Sequence, residues 1–119
     1  MSSPAKLNLE IYIGDTFQKL LQFFEADGVT PIDITGYSFK MQIRKCKDSP
    51  DVIAELNSPT EIELTDPTSG KITLKLNSAT TSTLEEQNAV YGLNWTDLSP
   101  AIRTLVEGNI RIIETITKN

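Results

Sequence analysis

The sequence offers little with which to do covalent chemistry. It contains no histidine and one cysteine, Cys46, so a Ser-His-Asp relay, a Cys-His dyad and a zinc site built from Cys and His are excluded. Carboxylates remain. Glu61, Glu63 and Asp66 stand close together, and a pair of carboxyl groups is the machinery of glycoside hydrolysis. Glu61 and Glu63, however, fall on one face of a strand, where a solvated polar edge is the ordinary role, and a domain this small seldom forms the deep cleft required. Asp27 and Asp66 could offer oxygens to calcium, but no dense D-x-D-x-D pattern surrounds them, and both sit where aspartate forms turns. The glycines stand singly, with neither GxGxxG nor GxxxxGK[ST] among them, which leaves a nucleotide site without support. No cofactor, no metal and no enzymatic activity are expected.

Recognition without catalysis has more candidates. Arg44-Lys45-Cys46-Lys47 is the one basic cluster; it suits phosphate or an acidic protein partner, although the solvated end of a strand is the more ordinary setting. Phe39, Tyr91 and Trp95 fall on alternating strands and read as core first. Tyr12, offset from the apolar positions of its strand, and Tyr37, beside Gly36, are the aromatic residues expected at the surface.

These residues have to be positioned by a β framework. Leu7, Leu9, Ile11 and Ile13 alternate with Lys6, Asn8, Glu10 and Tyr12, the period of two of a half-buried strand. Phe17 to Glu25 is crowded with apolar residues, and its reading is a strand buried on both faces, with a two-turn helix as the alternative; Asp27-Gly28 after it favours a hairpin arm. Pro31 to Gly36 reads as a short extended piece ending in a turn. Phe39, Met41 and Ile43 mark a clean strand, Val52 to Leu56 and Ile62 to Leu64 short ones, and Asp66-Pro67-Thr68-Ser69-Gly70 a tight turn joining Ile62 to Leu64 to a strand through Ile72, Leu74 and Leu76 as a hairpin. Asn77 to Glu86 is the single helix candidate, of one or two turns, with Asn77 or Ser78 as N-cap and Leu84 as its apolar anchor. Val90, Tyr91, Leu93 and Trp95 form a further strand, in which Gly92 admits a close neighbour. Ile102 to Ile116 forms a long last strand with a kink at Gly108.

Short strands at roughly 10-residue spacing with turns between them are the signature of a sandwich or barrel, and no βαβ alternation appears. The length of 119 residues and the 39% hydrophobic fraction suit one domain over residues 1–119, with residues 1–5 as a flexible tail. A net charge of −5 and an isoelectric point near 4.6 argue against nucleic acid and anionic membranes as partners. Met1 to Lys6 lacks the pattern of a secretory signal and no run of about 18 apolar residues occurs, so neither standard export nor a membrane span is expected. Asn94-Trp95-Thr96 matches a glycosylation sequon, but reads as plain strand.

The run Ile34-Thr35-Gly36-Tyr37-Ser38-Phe39-Lys40-Met41-Gln42-Ile43-Arg44, followed by Val52-Ile53-Ala54-Glu55-Leu56, resembles small bacteriophage virion proteins and the N-terminal domains of phage baseplate or tail-fibre proteins. Gly70 to Leu74, Ser78 to Leu84, Val90 to Trp95 and Leu105 to Ile110 continue the likeness in order. It runs from about Ile34 onward, with Met1 to Pro31 matching loosely. The resemblance implies an all-β, immunoglobulin-like antiparallel β-sandwich with one short helix, serving as an adaptor that attaches fibres or other proteins to the baseplate. It implies a virion tail location after synthesis in the host cytoplasm, tail proteins as partners, and a trimeric or hexameric arrangement. Members often lead longer chains, whereas this sequence stops soon after Ile116, which points to an adaptor or minor decoration protein rather than a receptor-binding tip. No catalytic residue is carried over.

An adaptor can dock by strand addition at a sheet edge. The first strand, with Leu7, Leu9, Ile11 and Tyr12, and the last, with Leu105, Glu107, Asn109 and Arg111, are the expected edges; Tyr37, Arg44, Lys45 and Lys47 are further interaction candidates. The alternative function is a carbohydrate-binding module that adheres to a host surface through Tyr12, Tyr37 or Trp95.

Overall fold

The computed structural model describes residues 5–116. Nine strands form two sheets: β1 (Ala5–Lys6), β2 (Leu9–Tyr12), β3 (Phe17–Gln22), β4 (Ser38–Arg44), β5 (Ala54–Asn57), β6 (Ile62–Asp66), β7 (Lys71–Leu76), β8 (Gln87–Thr96) and β9 (Ile102–Ile113). The large sheet runs β1-β9-β8-β4-β5, with β2 also on β9, and the small sheet runs β3-β7-β6. The chain crosses between sheets from β2 to β3, from β3 to β4, from β5 to β6 and from β7 to β8. This is the order of an immunoglobulin-like sandwich. Its one departure from an antiparallel pattern is the opening pair β1 and β2, which lie parallel to β9.

Alternation builds the core. The inward residues of β2, β4, β7 and β8 are Leu9 and Ile11; Phe39, Met41 and Ile43; Ile72, Leu74 and Leu76; Ala89, Tyr91, Leu93 and Trp95, all buried. Each Leu or Ile removed from water contributes about 1.5–3 kcal/mol before the entropy of ordering is set against it. The tight turn between β6 and β7 forms as the sequence requires: Pro67–Ser69 make a short 3-10 turn, and Gly70 closes it at φ 72°. The helix is a single turn, α1 (Ser78–Thr81), capped by the Asn77 side chain, which accepts the Thr80 N–H at 2.8 Å.

Several expectations need correction. The first strand is broken at Leu7–Asn8 into β1 and β2, and Ala5 lies in β1 rather than in a tail; residues 1–4 lie outside the described residues. β3 is not buried on both faces, because no layer covers the outward face of the small sheet: Leu20 is 56% exposed. The last strand is not an edge. β8 flanks β9 on one side, and β1 and β2 on the other. Nor does it kink at Gly108; its irregularity is a bulge where the register slips between Leu93↔Val106 and Asn94↔Thr104.

The two strand glycines have opposite roles. At Gly92 an added Cβ would meet nothing within 4 Å, so no neighbour presses on it as expected. At Gly108 it would lie 2.2 Å from the Leu7 carbonyl oxygen. That carbonyl accepts the Tyr91 hydroxyl at 2.6 Å, and the Asn8 side chain accepts the Asn109 N–H at 3.2 Å. The break between β1 and β2 therefore seats backbone directly on Gly108. Burial pushes the Tyr91 hydroxyl up from 10.0 to about 12.

Two outcomes follow. Gly108→Ala forces the Leu7 backbone away and lowers stability by about 2 kcal/mol or more in urea denaturation. For Tyr91, the unfolded chain loses its proton from pH 10 while the folded chain holds it to about 12. Stability is therefore unchanged below pH 10 and falls, by on the order of 3 kcal/mol in all, as pH rises from 10 through 12, because burial disfavours the phenolate. Urea midpoints measured across pH 9 to 12 fall more steeply in the parent than in Tyr91→Phe, which begins lower by about 1 kcal/mol for the missing hydrogen bond.

Candidate interaction site

Strand direction brings three connections to one end of the sandwich: the β3–β4 loop, the β6–β7 turn and the β8–β9 loop. Beneath them lies an aromatic plug. Trp95 is met edge-on by Tyr37 at 5.0 Å, Phe23 at 6.0 Å and Phe39 at 6.1 Å, and the Arg103 guanidinium stands 6.0 Å from its ring. Such ring pairs are worth about 0.5–1.5 kcal/mol beyond the area they bury. The plug also fixes the loop backbone above it. Phe23 N–H donates to Gly70 C=O at 2.9 Å, Ile32 N–H to Phe23 C=O at 3.0 Å and Ile34 N–H to Pro67 C=O at 2.9 Å.

Three aspartates then lock the loops locally. Asp27 accepts the Val29 and Thr30 N–H groups, each at 2.9 Å, and the Thr30 hydroxyl at 2.6 Å. Asp33 accepts the Thr35 hydroxyl at 2.6 Å and its N–H at 3.0 Å. Asp97 accepts the Ser99 hydroxyl at 2.6 Å and the N–H groups of Ser99 and Ala101, each at 2.9 Å. In all three the hydroxyl bond is the main cause, and the backbone bonds the second, of a carboxyl held below its ordinary range.

On these locked loops stand apolar side chains with nothing over them. Val29, Leu98 and Ile102 are 75%, 73% and 72% exposed, and Phe24 is 42%. Leu98 leans across Gly36, its Cδ2 only 2.9 Å from where a Cβ would be, which joins the β8–β9 loop to the β3–β4 loop. Rigid loops that present large apolar groups on a packed scaffold are the usual make-up of a binding surface.

The residues singled out from sequence are scattered. Leu9 and Ile11 are core, Leu7 and Leu105 half-buried, and Tyr12 exposed. Tyr37 is not a surface ring but part of the plug, and Trp95 is only 6% exposed. Glu107 receives a hydrogen bond from the Lys6 ammonium at 2.5 Å, which with its charge holds the carboxyl below its usual range. Arg111 donates to the Asn88 side chain at 3.3 Å, and Asn109 is exposed. Arg44 donates to the Ser49 carbonyl at 2.8 Å and the Gln42 side chain at 2.9 Å, while Lys45, Lys47 and Cys46 are exposed. The carboxylates considered for chemistry serve the scaffold: Glu61 accepts the Asn57 N–H at 3.0 Å and Glu63 pairs with Lys75. Among the described residues no three His, Cys, Asp or Glu side chains gather as metal ligands, and no helix is long and apolar enough to cross a membrane. The loop-end apolar residues were missed because single apolar residues among turn formers carry no periodicity.

The sequence matches no protein-family model and no curated protein. Similar solved structures include the ZIG-8–RIG-5 IG1–IG1 heterodimer, at 7% identity and TM-score 0.43 over 96% of this chain and 88% of that one. Another is murine CRIg, at 10% identity and TM-score 0.39 over 96% of this chain and 95% of that one. Neither likeness carries a functional argument. The strand order defines the fold.

A titration tests the locks. Because these carboxyls sit below 3.8, their stabilisation is present above the unfolded value and lost as pH falls through the lower folded one. The NMR amide signals of Val29, Thr30, Thr35, Ser99 and Ala101 therefore move together below pH 3.8 while those of β4 and β8 stay still. Movement centred above 3.8 contradicts the locks.

Proposed function

We propose that this domain is a structural component of a bacteriophage tail, an adaptor that attaches fibres or other proteins to the baseplate by protein–protein contacts, and not an enzyme. The observation that carries the binding role is the set of exposed apolar side chains, Phe24, Val29, Leu98 and Ile102, held on aspartate-locked loops at one end. The tail assignment rests on the sequence resemblance from Ile34 onward. A rigid two-sheet scaffold suits such a part, since preformed loops lose little conformational entropy on docking. The carbohydrate-binding alternative loses most of its platform: Trp95 is core and Tyr37 is spent on packing against it, which leaves Tyr12 alone at the surface.

Quantitative peptide mass spectrometry on purified phage particles from the source is the test. The chain is expected at a fixed low ratio to the major tail protein. Leu98→Glu combined with Ile102→Lys, both solvent-facing, lowers incorporation at least tenfold while the melting temperature stays within a few degrees of the parent. Absence of the chain from intact particles removes the adaptor reading.

A further inference from the structure

The outward face of the large sheet carries a second feature, away from the loop end. Across it runs the row Glu55↔Gln42↔Gly92↔Glu107↔Lys6, one residue from each of β5, β4, β8, β9 and β1. Gly92 lies at its centre with open space above it and forms part of the floor of a trough of about 670 Å³. Its banks are basic. Lys40 and Arg44, with Lys47 beyond the strand end, line the β4 side, and Lys6 lines the β1 side; Glu107 is the single carboxylate among the lining residues. This is a cationic hollow on a chain of net charge −5. Its polar lining includes Gln42, Asn94 and Asn109.

We propose that this trough binds an extended acidic segment of a partner protein, one with carboxylates on alternate residues. The inference is independent of the tail reading. Lys40 and Arg44 are four residues apart on one face of β4, so their Cα atoms are ~13 Å apart. In an extended chain, side chains on one face recur every ~6.6 Å. A Glu-x-Glu-x-Glu strand laid along β4 thus brings its outer carboxylates to Lys40 and Arg44 and its middle one to Gln42. Three strand spacings, ~14 Å, separate the Lys40 bank from Lys6, which leaves the floor at Gly92 wide enough for one such chain. Arg44 is already oriented by Gln42 and Ser49. The existing pairs of Lys6 with Glu107 and Lys40 with Glu55 are exposed and exchange readily for a partner carboxylate.

Other polyanions fit less well. A duplex or long single strand would meet the acidic remainder of the molecule beyond the trough. Single-stranded bases call for aromatic stacking, and the trough offers no ring: its lining tyrosine, Tyr91, is buried and points its hydroxyl to Leu7.

The probe is a fluorescein-labelled octapeptide of alternating Glu and Thr, read by anisotropy at ~20 mM salt. It is compared with its Gln–Thr counterpart, a peptide of the same composition with the Glu residues contiguous, and a thymidine octanucleotide. The alternating peptide is expected to bind at least tenfold more tightly than the Gln–Thr peptide and at least threefold more tightly than the contiguous one, and to weaken at ~0.5 M salt. Gly92→Val sets a branched side chain on the floor of the trough, where an added Cβ has open space, and reduces binding tenfold; Arg44→Gln and Lys40→Gln reduce it threefold or more each, with unchanged melting temperatures as the control. Affinity equal to that of the Gln–Thr peptide, or unaffected by Gly92→Val, overturns the proposal. So does equal binding of the contiguous peptide or tighter binding of the octanucleotide.

Discussion

The whole domain depends on one dry interface, the contact between the inner faces of two sheets that nothing covalent holds together. Antibody domains of this architecture join their sheets by a disulfide and pack a tryptophan from the third strand of the fold against it. Here a single cysteine is present, exposed beyond β4, and the tryptophan has moved to β8. What replaces the bridge is volume. Met41, Ile43, Leu56, Ile62, Ile72, Leu74 and Leu93 are fully buried between the sheets, and the Trp95 plug closes one end. At the other end Thr81, the buried polar side chain of the core, stitches the layers: its hydroxyl accepts the Gly14 N–H at 3.1 Å and donates to the Asp15 carbonyl at 2.8 Å. Both ends of the sandwich are thus closed by specific contacts, and its middle by apolar area.

That interface is asymmetric, and the asymmetry decides which backbone is left to pair with anything else. Six strands face three. The large sheet is finished on one side by β1 and β2, whose entry over Gly108 turns β9 from a terminal strand into an interior one. The small sheet has bare borders at β3 and β6. On β3 the inward side of Lys19, in register with buried Leu74, places a charge where a docking strand would need an apolar residue. Inward-pointing charge on a border strand discourages strand addition. β3 is therefore a poor border for strand addition, whereas the loop end and the outward face of the large sheet present uncovered side chains.

How much of this was legible in the sequence follows from the range of the interactions concerned. β2, β4, β7 and β8 announce themselves by alternation, because one face of each is buried along its whole length. The β6–β7 turn and the Asn77 cap are equally plain, since Pro67, Gly70 and Asn77 act on backbone within a few residues. The misreadings are all non-local. Nothing within Leu105–Ile113 reveals that β1 and β2 will lie parallel to it, and nothing near Gly92 or Gly108 says which of them lies under another chain segment. Crowding of apolar residues in Phe17–Glu25 suggested two buried faces, yet the outward face of a three-stranded sheet has no layer to cover it. Tyr37 looked exposed beside a turn glycine, and was drawn inward by Trp95, fifty-eight positions later in the chain.

The candidate surfaces were the least legible part, and the physical reason is the same. A binding surface on a sandwich is assembled from residues that the fold leaves uncovered, so each must first be excluded from the core by everything else that packs there. Leu98 and Ile102 are ordinary strand-and-turn residues until β8 and β9 put their inward partners, Trp95 and Arg103, together on the other side. Lys6, Lys40 and Arg44 are scattered basic residues until strand order places β1 three strands from β4 with a glycine between. The side chains left uncovered are apolar at the loop end and mostly basic or polar on the outward sheet face, so apolar contact and charge pairing are interactions that they offer.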